Sequence, residues 1–227
     1  MRFDRLVVTI SLAVLTVSAY AQQTPKAALL ALSKQDHTLS IVDPASLKIV
    51  ATIPVGDDPH EVVASTDGRT AYVSNYGFGR FHTLAVIDLM RQKQMPFIEL
   101  GALKGPHGLD FVDGKVWFTA EAAKAIGSYD PVTGKVDWIM GTGQDRTHMI
   151  YVFPGAKRIL TTNVNSATVT ILDKTNRPAH MLPGPPPGMP PGANGGPPPG
   201  MRMGPPPGPP AGDWDETVIP VGNGSEG

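Results

Sequence analysis

The chain has 227 residues, of which 41% are hydrophobic and 17% charged, with a formal net charge of -1. That length suits a single all-β domain, and the near-neutral balance argues against a nucleic-acid surface. With no cysteine there are neither disulfides nor an attachment point for a lipoprotein lipid, so stability must come from packing and strand pairing.

From the N-terminus, Arg2 and Arg5 precede an apolar run from Leu6 to Val17, and Ala19-Tyr20-Ala21 has the small-x-small form of a cleavage site. The pattern predicts a signal peptide over residues 1–21, its apolar run short of the ~20 residues that a spanning helix needs. The expectation is a periplasmic or secreted mature protein beginning at Gln22, with no stable membrane anchor after signal cleavage.

The rest of the chain is repetitive. Apolar, mostly β-branched runs end in Asp43, Asp88, Asp130 and Asp173, at steps of 45, 42 and 43 residues. A near-constant period of this size marks a repeat architecture, which a β-sandwich does not require. Ser33, Ala120 and Asn163 each stand ten residues before their aspartate, and Asn75 thirteen before Asp88, where Tyr76 to His82 lengthen a loop. The predicted strands between these landmarks include Ala71–Ser74, Val116–Thr119 and Ile159–Thr162, bounded by turn pairs such as Asp67-Gly68, Asp113-Gly114 and Pro154-Gly155. Each unit is therefore a four-stranded antiparallel meander, the first one with three strands. The predicted fold class is all-β: a β-propeller of four-stranded antiparallel blades, with about four blades over 22–227 and an incomplete ring.

Two stretches carry a family resemblance. The segment Val42-Asp43-Pro44 through Ile53-Pro54-Val55-Gly56-Asp57-Asp58-Pro59-His60, followed by Thr66-Asp67-Gly68-Arg69-Thr70-Ala71-Tyr72-Val73-Ser74-Asn75, resembles the YVTN-type β-propeller repeat of exported bacterial proteins. The third repeat, with Gly105-Pro106-His107-Gly108-Leu109 and Ile126-Gly127-Ser128-Tyr129-Asp130-Pro131, is also similar to the repeats of streptogramin lyases. Such repeats recur in proteins of unrelated function, so the resemblance implies a fold more than an activity.

Between Leu182 and Gly212, proline and glycine dominate, and Gly-Pro-Pro-Pro-Gly-Met occurs twice. The segment reads as an extended, disordered polyproline-like insertion between two strands of the fourth blade. Met181, Met189, Met201 and Met203 offer soft thioethers for copper(I), but only His180 accompanies them, and the plain insertion is the preferred reading. The chain then ends on Ile219 to Gly227, which repeats the pattern of Ile53 to Glu61. The expectation is a chain stopping inside its repeat, as a truncated or split gene product or as a partner in closure by oligomerisation.

His60, His107 and His148 hold the same place in successive repeats, just before the innermost strand, and Glu226 holds it in the tail. Innermost strands line the axial channel of a propeller, so these four residues are the candidate ligand-binding set, suited to a divalent metal, an anion or a polar ligand. A repeat histidine can instead serve packing, by bonding the neighbouring blade's backbone. The resemblance to streptogramin lyases, whose axial histidines and magnesium-holding carboxylate are the reactive groups, singles out His107 and His148. His37 and His82 read as solvated loop residues, and Asp57-Asp58 as a solvated turn. No nucleophile elbow, His-Glu-x-x-His helix or phosphate-cradling loop is present.

Two functions are compatible with these features. One is a ligand- or partner-binding scaffold of the cell envelope, its partner an unknown small molecule or envelope protein and not a nucleic acid. The other is a metal-assisted lyase or lactonase. No cofactor is certain; a divalent metal is the candidate, and ordinary histidine titration predicts that its affinity falls as pH drops through ~6.5.

Overall fold

The computed structural model describes residues 23–175 and 214–226. The predicted signal peptide and the insertion at 182–212 lie outside the described residues. Blade 1 has three strands, β1 (Leu29–Ser33), β2 (Thr38–Asp43) and β3 (Lys48–Pro54). Blade 2 has β4 (Pro59–Ala64), β5 (Thr70–Asn75), β6 (Thr83–Asp88) and β7 (Lys93–Glu99), and blade 3 has β8 (Pro106–Val112), β9 (Lys115–Ala120), β10 (Ala125–Asp130) and β11 (Lys135–Gly141). Blade 4 has β12 (Thr147–Val152), β13 (Arg158–Asn163), β14 (Thr168–Lys174) and β15 (Trp214–Pro220), so the insertion falls between β14 and β15 as the repeat spacing predicts. In each blade the strands pair antiparallel in chain order, and among the described residues no sheet closes on itself.

The repeated aspartate has a local cause. In blades 1 to 3 its side chain accepts the backbone N–H two residues on, from Ala45 at 2.9 Å, Met90 at 3.0 Å and Val132 at 2.8 Å, which pins the turn into the outermost strand. In blade 4 the insertion leaves at that point, and Asp173 instead pairs with Arg158 Nε at 2.6 Å.

Apolar clusters fill the space between successive blades. Leu39, Ile41, Val73 and Ile87 join blades 1 and 2; Leu84, Val116 and Phe118 join blades 2 and 3; Trp117, Ile126, Val152 and Ile159 join blades 3 and 4. The far face of blade 4 presents Tyr151, Leu160 and Val169, which match by repeat position Asp110, Trp117 and Ile126 on the face that blade 3 turns toward blade 4. Among the described residues no helix is long and apolar enough to cross a membrane.

Asn75, the landmark of blade 2, is buried and its Nδ2 donates to Val55 O at 2.9 Å and Asp57 O at 3.1 Å. It thereby fixes the crossing from blade 1 to blade 2. Asn75→Ala leaves two carbonyls without that donor and should lower the unfolding free energy by about 1–3 kcal/mol, read from the midpoint of urea denaturation.

Candidate metal centre

The innermost strands β1, β4, β8 and β12 pack side by side in that order. Two residues ahead of each repeat histidine the backbone turns left-handed, at Asp58 (φ 49), Gly105 (φ 70) and Arg146 (φ 55), and again at Gly224 (φ 77) ahead of Glu226. This turn brings the chain from the rim of one blade to the axis at the next. For arginine the conformation is strained, and strain of this kind collects where a side chain has a task.

A bulge follows at each histidine. The ladder slips between Pro59 and Val62, between Pro106 and Leu109, and between Thr147 and Ile150. A hydroxyl from the second strand fills the gap: Ser74, Thr119 and Thr162 accept the N–H of Glu61, Gly108 and Met149 at 3.0, 2.9 and 3.2 Å. Thr119 also donates to the carbonyl of His148 at 2.8 Å, and Thr162 to that of Glu226 at 3.4 Å. One hydroxyl thus fixes the histidine position of its own blade and that of the next.

The result is a row of rings in edge-on and tilted contact. His60 and His107 have centroids 4.5 Å apart, His107 and His148 3.9 Å apart, and Tyr76 packs edge-on against His60 and His107 at 4.8 and 5.2 Å. Beside them lies Glu121, whose Oε1 is 2.5 Å from His148 Nδ1. Ligand atoms of His107, Glu121 and His148, all buried, lie within 4.8 Å of one another, a group that could hold a metal ion. His107 Nδ1 and Glu121 Oε2 are buried without any hydrogen-bond partner.

The electrostatics suit ligands rather than packing. Burial, with the neighbouring rings of His148 and His60, pushes the His107 pKa down to about 3. Its imidazole is therefore neutral at pH 7 with no proton to displace, and the steep loss of affinity expected near 6.5 does not apply to this ring. Burial alone would raise the Glu121 carboxyl, but the His148 hydrogen bond, the nearby Tyr76 hydroxyl and the imidazoles hold it below the usual glutamate range. Burial, then the hydrogen bond to Glu121 and its charge, pushes the Tyr76 phenol up to about 12. Burial raises the Glu61 carboxyl, with His148 opposing. Two imidazoles and one carboxylate form the donor set of a zinc-like cation rather than of magnesium, which prefers oxygen throughout. With Nδ1 of His148 facing Glu121 Oε1, Nε2 is the ring nitrogen left to face a cation.

The candidate residues therefore separate. His107 and His148 join the cluster. His60 meets it edge-on, but its Nε2 is engaged by Lys34 Nζ at 2.6 Å and Asp58 at 3.2 Å, and burial, then Lys34, lowers its pKa. Glu226 reaches the axial position at its fringe, 62% exposed, its carboxylate 3.7 Å from Arg146, which also lies 3.7 Å from Glu121. His37 and His82 lie in loops as expected, the first exposed and the second half-buried, paired with Asp57 at 2.8 Å and Glu99 at 3.2 Å. Asp58 corrects the reading of a solvated turn. Its side chain is 19% exposed, accepts the Gly77 N–H at 3.0 Å and pairs with Lys34 and His60, because its left-handed backbone turns the carboxylate inward.

No family model matches the chain, and no curated protein matches it. Among solved structures the chain is similar to hydrazine synthase of Kuenenia stuttgartiensis, with a TM-score of 0.53 at 15% identity over 69% of this chain and 54% of that one. This chain therefore spans about half the length of that protein, and at such identity the likeness is one of fold, supporting the β-propeller.

Sequence reasoning missed Glu121, though the signal was available. Lys34, Tyr76, Glu121 and Val164 each directly follow a landmark residue, Ser33, Asn75, Ala120 and Asn163. Lys34 meets His60, Tyr76 meets His107, and Glu121 meets His148, each one blade on.

Proposed function

We propose that this chain is an exported, YVTN-like β-propeller of the cell envelope whose axial channel binds a divalent cation through His107, Glu121 and His148. The observation that carries this reading is the pair of buried atoms without partners, His107 Nδ1 and Glu121 Oε2, inside a three-residue donor cluster. A histidine kept for packing would bond a neighbouring backbone, whereas a buried polar atom left unpaired costs ~1–3 kcal/mol unless something fills the place. A bound cation supplies a Lewis acid, and the ligand it presents at the channel mouth meets Arg146, Tyr76 and Lys34.

Isothermal titration with zinc, manganese and magnesium on the full chain tests this. Zinc should bind more tightly than magnesium, and His107→Ala or Glu121→Gln should weaken it at least ~100-fold, since even outer-shell partners of metal ligands are typically worth ~10–100-fold. No detectable binding of any of the three to the folded protein rejects the site.

A second reading, a metal-assisted lyase or lactone-opening enzyme, is favoured by Glu61. Its carboxyl is raised by burial, with His148 opposing, and a carboxyl near the cluster is the group a general base would need. On this reading Glu61→Gln abolishes turnover of a model lactone while zinc binding persists. Equal turnover by wild type and Glu61→Gln removes the carboxyl from the chemistry.

A further inference from the structure

All three tryptophans of the chain meet in one cleft between blades 3 and 4. Trp117 and Trp138 have centroids 5.5 Å apart at 59°, and Trp138 and Trp214 5.4 Å apart at 51°. The cleft measures about 320 Å³. It is lined by Asp113, Ala156, Lys174 and Trp214, at the strand ends opposite those that carry the histidines, and shares no lining residue with the axial site.

We propose that this cleft is a carbohydrate site that takes a pyranose ring between the indoles. Packing between blades would account for buried tryptophans, but not for the Trp214 Nε1–H, which is buried without a partner. A buried indole N–H ordinarily finds an acceptor, so the cleft is short of one hydroxyl-like group. Around it stand groups of both signs. Asp137 accepts from Ser128 Oγ at 2.7 Å and from Lys115, and its carboxylate keeps lone pairs to spare. Lys174 Nζ lies 6.0 Å from the Trp214 ring centre, at the outer limit of a cation–π contact, and keeps hydrogens to donate.

These features choose between ligand classes. A quaternary ammonium would suit three aromatic faces, but Lys115 and Lys174 balance Asp113 and Asp137, so the cleft offers a cation no net negative charge. A polyproline peptide would suit the aromatic walls and its carbonyls could accept from Trp214, but without N–H or O–H donors it leaves the spare lone pairs of Asp137 unused. Sugar hydroxyls both donate and accept, and the C–H face of a pyranose lies against the negative face of an indole. The volume is at the lower end for a small-molecule pocket, which sets the size at one or two rings.

With only three indoles, intrinsic fluorescence and the indole N–H resonances report this site without background. Titration of the full chain with cellobiose, maltose and N,N′-diacetylchitobiose should give, for at least one of them, a saturable change in emission and a shift of the Trp214 indole resonance. Trp214→Phe keeps an aromatic wall but removes the N–H together with part of the ring face, and should weaken that sugar at least about tenfold, the equivalent of one hydrogen bond. Metal removal should leave the titration unchanged. The assignment is overturned if no disaccharide gives a saturable shift, if only a polyproline peptide does, or if Trp214→Phe binds as wild type does.

Discussion

Gly108→Ala is expected to destabilise the protein by about 3 kcal/mol or more, at the upper end of what overpacking a close-fitting interior costs. A Cβ at this position would stand 2.5 Å from His148 O, 2.7 Å from Met149 Cα and 3.0 Å from Ile150 N. All three are backbone atoms of β12, so no side chain can swing away, and relief requires blades 3 and 4 to separate. Their separation also moves His148 from His107, which reaches 3.9 Å only because β8 and β12 approach so closely. Molecules that stay folded should therefore bind zinc more weakly. Gly141→Ala is the matched control, since its Cβ meets nothing within 4 Å and its φ is not positive. It should stay within about 0.5 kcal/mol of wild type in the same urea titration, and an equal loss for both variants would refute close approach as the reason for Gly108.

The contrast shows what could be read from residues alone. Blade number, strand placement and the site of the insertion were legible because Asp43, Asp88, Asp130 and Asp173 each end a strand, and that role leaves a constant spacing. The histidine positions were legible for the same reason. The third donor was missed because the position after each landmark, though countable, carries Lys34, Tyr76, Glu121 and Val164, with no shared chemistry to mark it as a ligand. Nor could spacing show that Asp58 and His60 engage each other and Lys34. That pairing depends on a left-handed Asp58, where repeat neighbours carry glycine or arginine. The burial of His107, which decides its charge, follows from blades stacking on both sides of it and has no counterpart in local sequence.

That burial leads to the second large effect, a loss of stability in mild acid by the metal-free protein. His107 has a folded pKa of about 3, against 6.5 for the free side chain. Above 6.5 neither state carries the proton and His107 contributes no pH dependence. Below 6.5 the unfolded chain takes up a proton that the folded one refuses, so more protons are bound unfolded and stability falls as pH falls, by up to ~1.4 kcal/mol per pH unit. Between pH 6 and 4.5 this amounts to about 2 kcal/mol. His60, also lowered, adds to the slope, and the raised Glu61 carboxyl opposes it. Glu121 and Asp58, both held low, add their losses below the ordinary carboxylate range. The measurement is therefore a difference: urea denaturation in the presence of EDTA at several pH values between 7 and 4.5, for wild type and for His107→Phe. Phenylalanine keeps an aromatic ring between His60 and His148 and cannot titrate, so the variant should lose about one proton's worth of slope over the window. Parallel pH profiles for the two proteins would mean that His107 protonates freely in the folded state, which its burial between two other imidazoles forbids.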